Sequence, residues 1–229
     1  ISHILYWKHA CPDIYRNTHK FLEPKDYINF KLTGRYAASY DSIALHWVTD
    51  NRQLAKVAYH PRLLEMATID GQKLPELKRA VDILGPLTES AAQELGLKQG
   101  TQVIVGTPDV QSAGIGAGAV QDYAAHLCLG TSSWLSCHVP FKKTALRHNL
   151  ASLPSPIPDR YFIANEQESA GACLTFLKSI FGSKDLCASE ASPADVWAAL
   201  DETAAQVPPG SHKLIFTPWL FGERTPVED

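Results

Sequence analysis

Apolar and polar positions along this chain alternate between helix-length and strand-length patterns. Between residues 1 and 22 the apolar side chains keep helical spacing, with Ile4, Leu5, Tyr6 and Trp7 early and Ile14 and Tyr15 later. Pro12 suits a first helical turn, and Asp13 suits the positive end of its dipole. Residues 24–33 predict a second helix. Pro24 opens it, Lys25 and Asp26 lie on the polar side, Tyr27, Ile28, Phe30 and Leu32 are apolar, and Gly34 stops it at C′. Short strands or extended loops are expected over residues 36–47. Residues 60–97 read as short helices broken by Gly71, Pro75, Gly85-Pro86 and Gly96, with Thr88 as the N-cap of the last.

Small residues crowd into residues 103–139 as nowhere else. A strand-length apolar run, 103–106, enters a Thr107-Pro108-Asp109 corner and then a helix of small residues, 112–120. A second strand, 126–130, ends in the turn Gly130-Thr131-Ser132-Ser133, and a third follows over 134–139. Beyond a polar, Pro-rich stretch at 142–158, a strand is expected at 160–165. Helices are expected at 169–181 and at 193–206, the second capped by Ser192. Residues 213–226 predict a last strand and loop. Strands alternating with helices place the chain in the α/β class. The polar break at residues 98–101 sets an expected boundary between a helix-rich domain, 1–100, and an α/β domain, 101–229.

Composition narrows the function. The chain has 229 residues, 45% hydrophobic and 20% charged, as in an ordinary soluble globular protein. A net charge of −3 without a basic run excludes a nucleic-acid footprint and an acidic membrane surface as partners. The apolar runs are too short to span a bilayer. Five cysteines lack C-x-x-C spacing, and Cys128 and Cys137 fall within strand patterns, so buried free thiols in a reducing cytoplasm are expected. Nine scattered histidines form no ligand spacing, and no dedicated metal site is expected. The chain lacks an initiator Met and a signal peptide, and is expected to be a piece of a longer one.

Four strings, in order, resemble the FGGY carbohydrate kinase family, most closely its xylulokinase-like members. They are Pro24-Lys25-Asp26-Tyr27 with Leu32-Thr33-Gly34, the Gly106-Thr107-Pro108-Asp109 corner, the Gly130-Thr131-Ser132-Ser133 turn, and Phe221-Gly222-Glu223-Arg224-Thr225-Pro226. The resemblance implies an actin-like, ribonuclease-H-like fold of two lobes, with a sugar or polyol deep between them and MgATP across the cleft. This chain would be the end of the first lobe and the start of the second, lacking an N-terminal D-x-G-T-type phosphate loop and a C-terminal adenine-site motif. The implied activity is ATP-dependent phosphorylation of a sugar or polyol hydroxyl, with the isolated piece inactive. A non-catalytic sugar-binding or regulatory actin-like protein is the alternative. The Mg2+ would arrive with ATP, and a homodimer is left open.

Asp109 matches the family's general base, and it is equally placed to cap the small-residue helix. Gly130, Thr131 and Ser132 match a phosphate-binding turn, in which Gly admits close approach and hydroxyls and N–H groups donate to phosphate oxygens; a plain hairpin is the other reading. Trp134 would either wall the substrate pocket or sit in the core. Glu223 and Arg224 would pair with one another's loops or order the lobe interface, or simply be solvated, which is the larger expectation. Lys25-Asp26-Tyr27 reads as a helix start. Two strings depart from the family's. The corner commonly reads Gly-Gly-Gly-Asp-Asn, so Val110 stands where an Asn would reach sugar hydroxyls. The T-D-x-S string reads Ser39-Tyr40-Asp41-Ser42 here.

Overall fold

The computed structural model describes residues 1–186, 193–223 and 225. The expected Ser192 cap, Cys187 and Arg224 lie outside them. Two compact units emerge. The first comprises Ile1–His126, Ser136–Thr144 and Ala151–Ala164, and the second comprises Leu127–Leu135, Ala145–Leu150 and Asn165–Asp229.

The first unit opens on α1 (Ser2–Ala10), α2 (Pro12–Asn17) and α3 (Pro24–Thr33). Pro occupies the first helical positions of α2 and α3, where its missing N–H costs nothing. Gly34 ends α3 at φ +71°, the left-handed cap that glycine reaches without strain. Strand β1 (Ala37–Ser39) follows, then α4 (Tyr40–Ala44), β2 (Thr49–Asp50), β3 (Ala58–Tyr59), α5 (Pro61–Met66), β4 (Glu76–Lys78) and β5 (Ile83–Pro86). Helix α6 (Glu89–Leu95), strand β6 (Gln102–Ile104) and helix α7 (Asp109–Gly116) lead up to and through the acidic corner. Residues 98–101 form the turn between α6 and β6, closed by Thr101 N–H donating to the Lys98 carbonyl.

Three cores hold this unit, one of them Leu87 with Ala91 and Ala92 of α6. Ile4, Tyr15, Val48, Ile69 and Leu74 pack with Phe21, Leu64 and Tyr59 beneath the N-terminal helices. Ala37, Leu84 and Val105, all at most 1% exposed, pack directly behind the corner. Strand β1 pairs with β4 in parallel, and β5 pairs with β6 antiparallel through an irregularity between Ile83 and Gly85. The residues expected as broken helices between 60 and 97 thus contain two strands, and residues 40–44, expected to be extended, are helical. Thr88 caps α6 as expected, its Oγ1 accepting from Ala91 N–H at 3.2 Å. Thr88→Ala is expected to cost about 1 kcal/mol of stability in urea unfolding, the usual loss of a helix cap.

The remaining strands are β7 (His126–Leu129), β8 (Ser133–Val139), β9 (Ala151–Pro154) and β10 (Tyr161–Gln167), in the sheet order β7-β8-β10-β9. In the second unit, α8 (Gly171–Leu186) packs against α9 (Pro193–Ala205), with the Lys178 ammonium 5.1 Å from the centre of the Trp197 ring. The strand expected over residues 213–226 does not form among the described residues; Leu214, Ile215 and Phe216 are exposed and unpaired, and only a Leu220–Gly222 bridge appears. The cysteines at 11, 128, 137 and 173 are free, but Cys128 is exposed, correcting its expected burial. No helix among the described residues is long and apolar enough to cross a membrane.

Candidate active site

Asp109 stands at the first position of α7, exposed, after Pro108 as N-cap. Its Oδ1 accepts the Val110 N–H at 2.9 Å. It therefore satisfies one of the helix's free first-turn donors, while Oδ2 has no hydrogen-bond partner among the described residues. One carboxylate can serve both expected roles, because the cap engages a single oxygen. Val110 is half-buried at the second helical position. The helix starts at Asp109, three residues earlier than the small-residue pattern predicts, and ends at Gly116. Gly114 lies against His126, whose ring an added Cβ would meet at 3.7 Å, so small side chains here permit close packing.

The strand end before Asp109 is held from three sides. Val105 donates its N–H to the Asp82 carbonyl at 3.0 Å. The Val105 carbonyl accepts from Asn29 Nδ2 at 2.7 Å and Lys25 Nζ at 3.1 Å, both on α3. Gly106 donates to the Ala80 carbonyl at 2.9 Å and holds φ +75°, where a side chain would be strained. Thr107 Oγ1 donates to Asp41 Oδ2 from α4. The Pro-Lys-Asp-Tyr string is therefore more than a helix start.

Behind the corner lie two buried carboxyls, Asp26 (0% exposed), ion-paired with Lys25, and Asp41 (1%). Burial pushes both above the ordinary carboxylate range, the Lys25 bond opposing it at Asp26 and the Ser39 and Thr107 hydroxyls opposing it at Asp41. A raised folded pKa means tighter proton binding in the folded chain, so each group costs stability as pH rises from the ordinary carboxylate value through its own raised one. His138, held low by its burial, has the opposite effect as pH falls below the ordinary imidazole value. The clean readout is a difference. Relative to the unsubstituted protein, Asp26→Asn is expected to lose thermal stability steadily as pH falls through the raised range of this carboxyl toward the ordinary carboxylate value, since only the carboxyl gains by protonation. Melting curves of both proteins across that window check it, and a pH-independent difference would contradict it.

In the second unit, Gly130, Thr131 and Ser132 form the turn between β7 and β8, with Gly130 N–H donating to the Ser132 carbonyl at 2.9 Å. Gly130 and Thr131 are exposed and Ser132 is half-buried. The outer carbonyls of this turn point into the start of α8. Gly130 O accepts Gly171 N–H at 2.8 Å, and Thr131 O accepts Ala170 N–H at 2.8 Å and Ala172 N–H at 3.3 Å. Gly171 has to be glycine, since a Cβ there would lie 2.7 Å from the Gly130 carbonyl oxygen. Gly130 does not: its φ is not positive, and a Cβ would meet only Ser132 O at 3.6 Å, an ordinary contact. An added Cβ at Gly130 would therefore be tolerated by the chain's own packing. Trp134 is half-buried on β8. Glu223 is not solvated: it is 3% exposed and its Oε1 accepts from Glu168 N–H at 3.2 Å and Thr225 N–H at 3.4 Å. Among the described residues no three His, Cys, Asp or Glu side chains gather as a metal site.

The fold is α/β with open sheets, and it carries an acid at a strand-to-helix corner and a Gly-Thr-Ser turn. Over 99% of this chain it superposes on 44% of the ligand-bound xylulose kinase from Lactobacillus acidophilus, with a TM-score of 0.81 and 23% identity. Residues 1–116 match the FGGY family of carbohydrate kinases, N-terminal domain, and the chain belongs to that family. An autoinducer-2 kinase of Klebsiella pneumoniae is 29% identical over 209 residues, 91% of this chain and 39% of the relative. A xylulose kinase of Lactococcus lactis is 27% identical over 223 residues, 97% of this chain and 42% of the relative. The chain spans about two fifths of the length of the curated relatives it matches.

Proposed function

We propose that the whole protein to which this chain belongs transfers a phosphoryl group from ATP to a hydroxyl of a small sugar or polyol, as an FGGY carbohydrate kinase. The observation that carries this reading is the corner at Asp109: an exposed carboxylate with one free oxygen, delivered by the segment after β6, in which Val105, Gly106 and Thr107 are each bonded to neighbouring elements. Asp109 would accept the substrate hydroxyl's proton late in the transfer, when that oxygen becomes acidic. The Thr131 and Ser132 hydroxyls and the turn's N–H groups would donate to the nucleotide's phosphate oxygens, approached closely across Gly130. Bound with ATP, Mg2+ supplies charge neutralisation at those oxygens.

Val110 and Trp134 would face the sugar. The apolar Val110 removes one polar contact, so the substrate class extends beyond the xylulose that names one relative and includes the autoinducer-2 that names another. The reading takes the protein as cytoplasmic, with its ATP drawn from the cellular pool. The test is a screen of the whole protein against ketopentoses, glycerol, gluconate, tetritols and autoinducer-2, with coupled detection of ADP. Saturable, sugar-dependent ADP release supports the kinase; binding of a sugar without any ADP release would favour a non-catalytic sugar-binding protein.

A further inference from the structure

The network behind the corner contains one tie that no expected role accounts for. Val105 and Gly106 are secured through backbone groups; Thr107 is secured by its side chain, whose hydroxyl donates to Asp41 Oδ2, and more loosely by its carbonyl, which accepts from Ser112 Oγ at 3.4 Å. Pro108 follows with φ −66° fixed by its ring, and Asp109 is the next residue. The Pro108 ring thus removes one of the backbone rotations between the Thr107 tie and the Asp109 carboxylate. Asp41 is itself buried, 1% exposed on α4 beside the fully buried β1, and a hydrogen bond to a buried carboxylate has no water competing for it.

A hydroxyl in this half-buried corner needs an acceptor, and Asp41 supplies it.

We infer, building on the reading of Asp109 as the base, that Asp41 and Thr107 are positioning residues that aim the Asp109 carboxylate at the substrate hydroxyl. Misplacing a catalytic group by about 1 Å can cost roughly a hundredfold in rate, so a bond controlling a smaller displacement has a measurable effect.

The experiment uses the whole protein with the best sugar from the substrate screen and ADP release as the readout. Thr107→Val, which keeps the shape and removes the donor, is expected to lower kcat about tenfold while KM for ATP stays within about twofold. Asp41→Asn, which keeps an acceptor but not the charge, is expected to lose less, and Thr107→Ser to restore nearly full turnover. The decisive measurement is made on Asp109→Asn. If Thr107 acts through Asp109, adding Thr107→Val to Asp109→Asn lowers the residual rate no further, because positioning a group that cannot take the proton is worthless. A further tenfold loss in that background, or full activity of Thr107→Val with its thermal midpoint unchanged, overturns the assignment. Should Asp109→Asn alone turn over at the unsubstituted rate, the base reading fails, and that outcome is seen before any Thr107 variant is compared. Asp41→Asn provides the second route if Thr107→Val does not fold.

Discussion

Asp109→Asn in the whole protein is expected to lower kcat by about 10² to 10⁴, the usual worth of a positioned general base, with KM for ATP within about twofold. Asparagine is the informative replacement because it separates the two roles this residue can hold. Its side-chain oxygen can still accept the Val110 N–H, as Asp109 Oδ1 does at 2.9 Å, and Asn is as good as Asp near a helix start. A cap alone would therefore survive the substitution, and both the melting temperature and the rate would be preserved. A base would not survive it, since the amide cannot take a proton at neutral pH. Single-turnover and steady-state rates, measured with thermal melts of the same preparations, decide between them. Full turnover with an unchanged melt would leave Asp109 as a cap only.

The parts of the fold that could be read from sequence are those specified by local chemistry. Pro24 and Gly34 mark both ends of α3 because one lacks an N–H and the other tolerates φ +71°. Thr88 announces α6 for a similarly local reason. The strands β4 and β5 were hidden because their identity depends on remote partners. Glu76–Lys78 becomes a strand by pairing with Ala37–Ser39, nearly forty residues earlier, and Gly85 and Pro86, which look like helix breakers, belong to an irregular strand paired with β6. The apolar run Leu214-Ile215-Phe216 fails in the opposite sense: its pattern suits a strand, yet no described strand pairs with it. Pattern sets what a segment can bury, and the ladder depends on an edge elsewhere.

The candidate site divides in the same way. Asp109 and the Gly130–Ser132 turn stand out because a charged residue at a strand-to-helix corner and a glycine-hydroxyl turn are unusual locally. Their supports do not stand out. Asn29 reads as an ordinary polar helix residue until its amide is found on the Val105 carbonyl, 76 positions away. Glu223 reads as a solvated charge until its partner at Glu168, 55 positions away, is in view. The sequence offers only that Asp26 and Asn29 are polar residues three apart, on one face of α3; that this face is buried is seen only in the structure. Supporting contacts of this kind escape a one-dimensional reading because each residue is chemically unremarkable alone.

The glycines of the second unit give the other large effect, and they separate a phosphate turn from a plain hairpin. Gly171→Ala places a Cβ 2.7 Å from the Gly130 carbonyl oxygen, where backbone faces backbone and neither can rotate aside. Relief requires the turn and the start of α8 to part, weakening the Gly171 N–H bond to Gly130 O at 2.8 Å. Overpacking of this sort costs about 1–3 kcal/mol. If the displaced turn holds the nucleotide, that corresponds to roughly a ten- to hundredfold rise in KM for ATP. Gly171→Ala alone is ambiguous, because it also lowers stability. Gly130→Ala removes the ambiguity: its Cβ meets only Ser132 O at 3.6 Å, so the fold accommodates it and the thermal midpoint should hold. If the turn binds phosphate, its methyl would nevertheless occupy the face over which the phosphate oxygens pass. A phosphate turn therefore predicts that Gly130→Ala raises KM for ATP about tenfold at unchanged stability, with KM for the sugar unaffected. A hairpin predicts that neither changes, and ATP titration by calorimetry alongside thermal melts distinguishes the two outcomes.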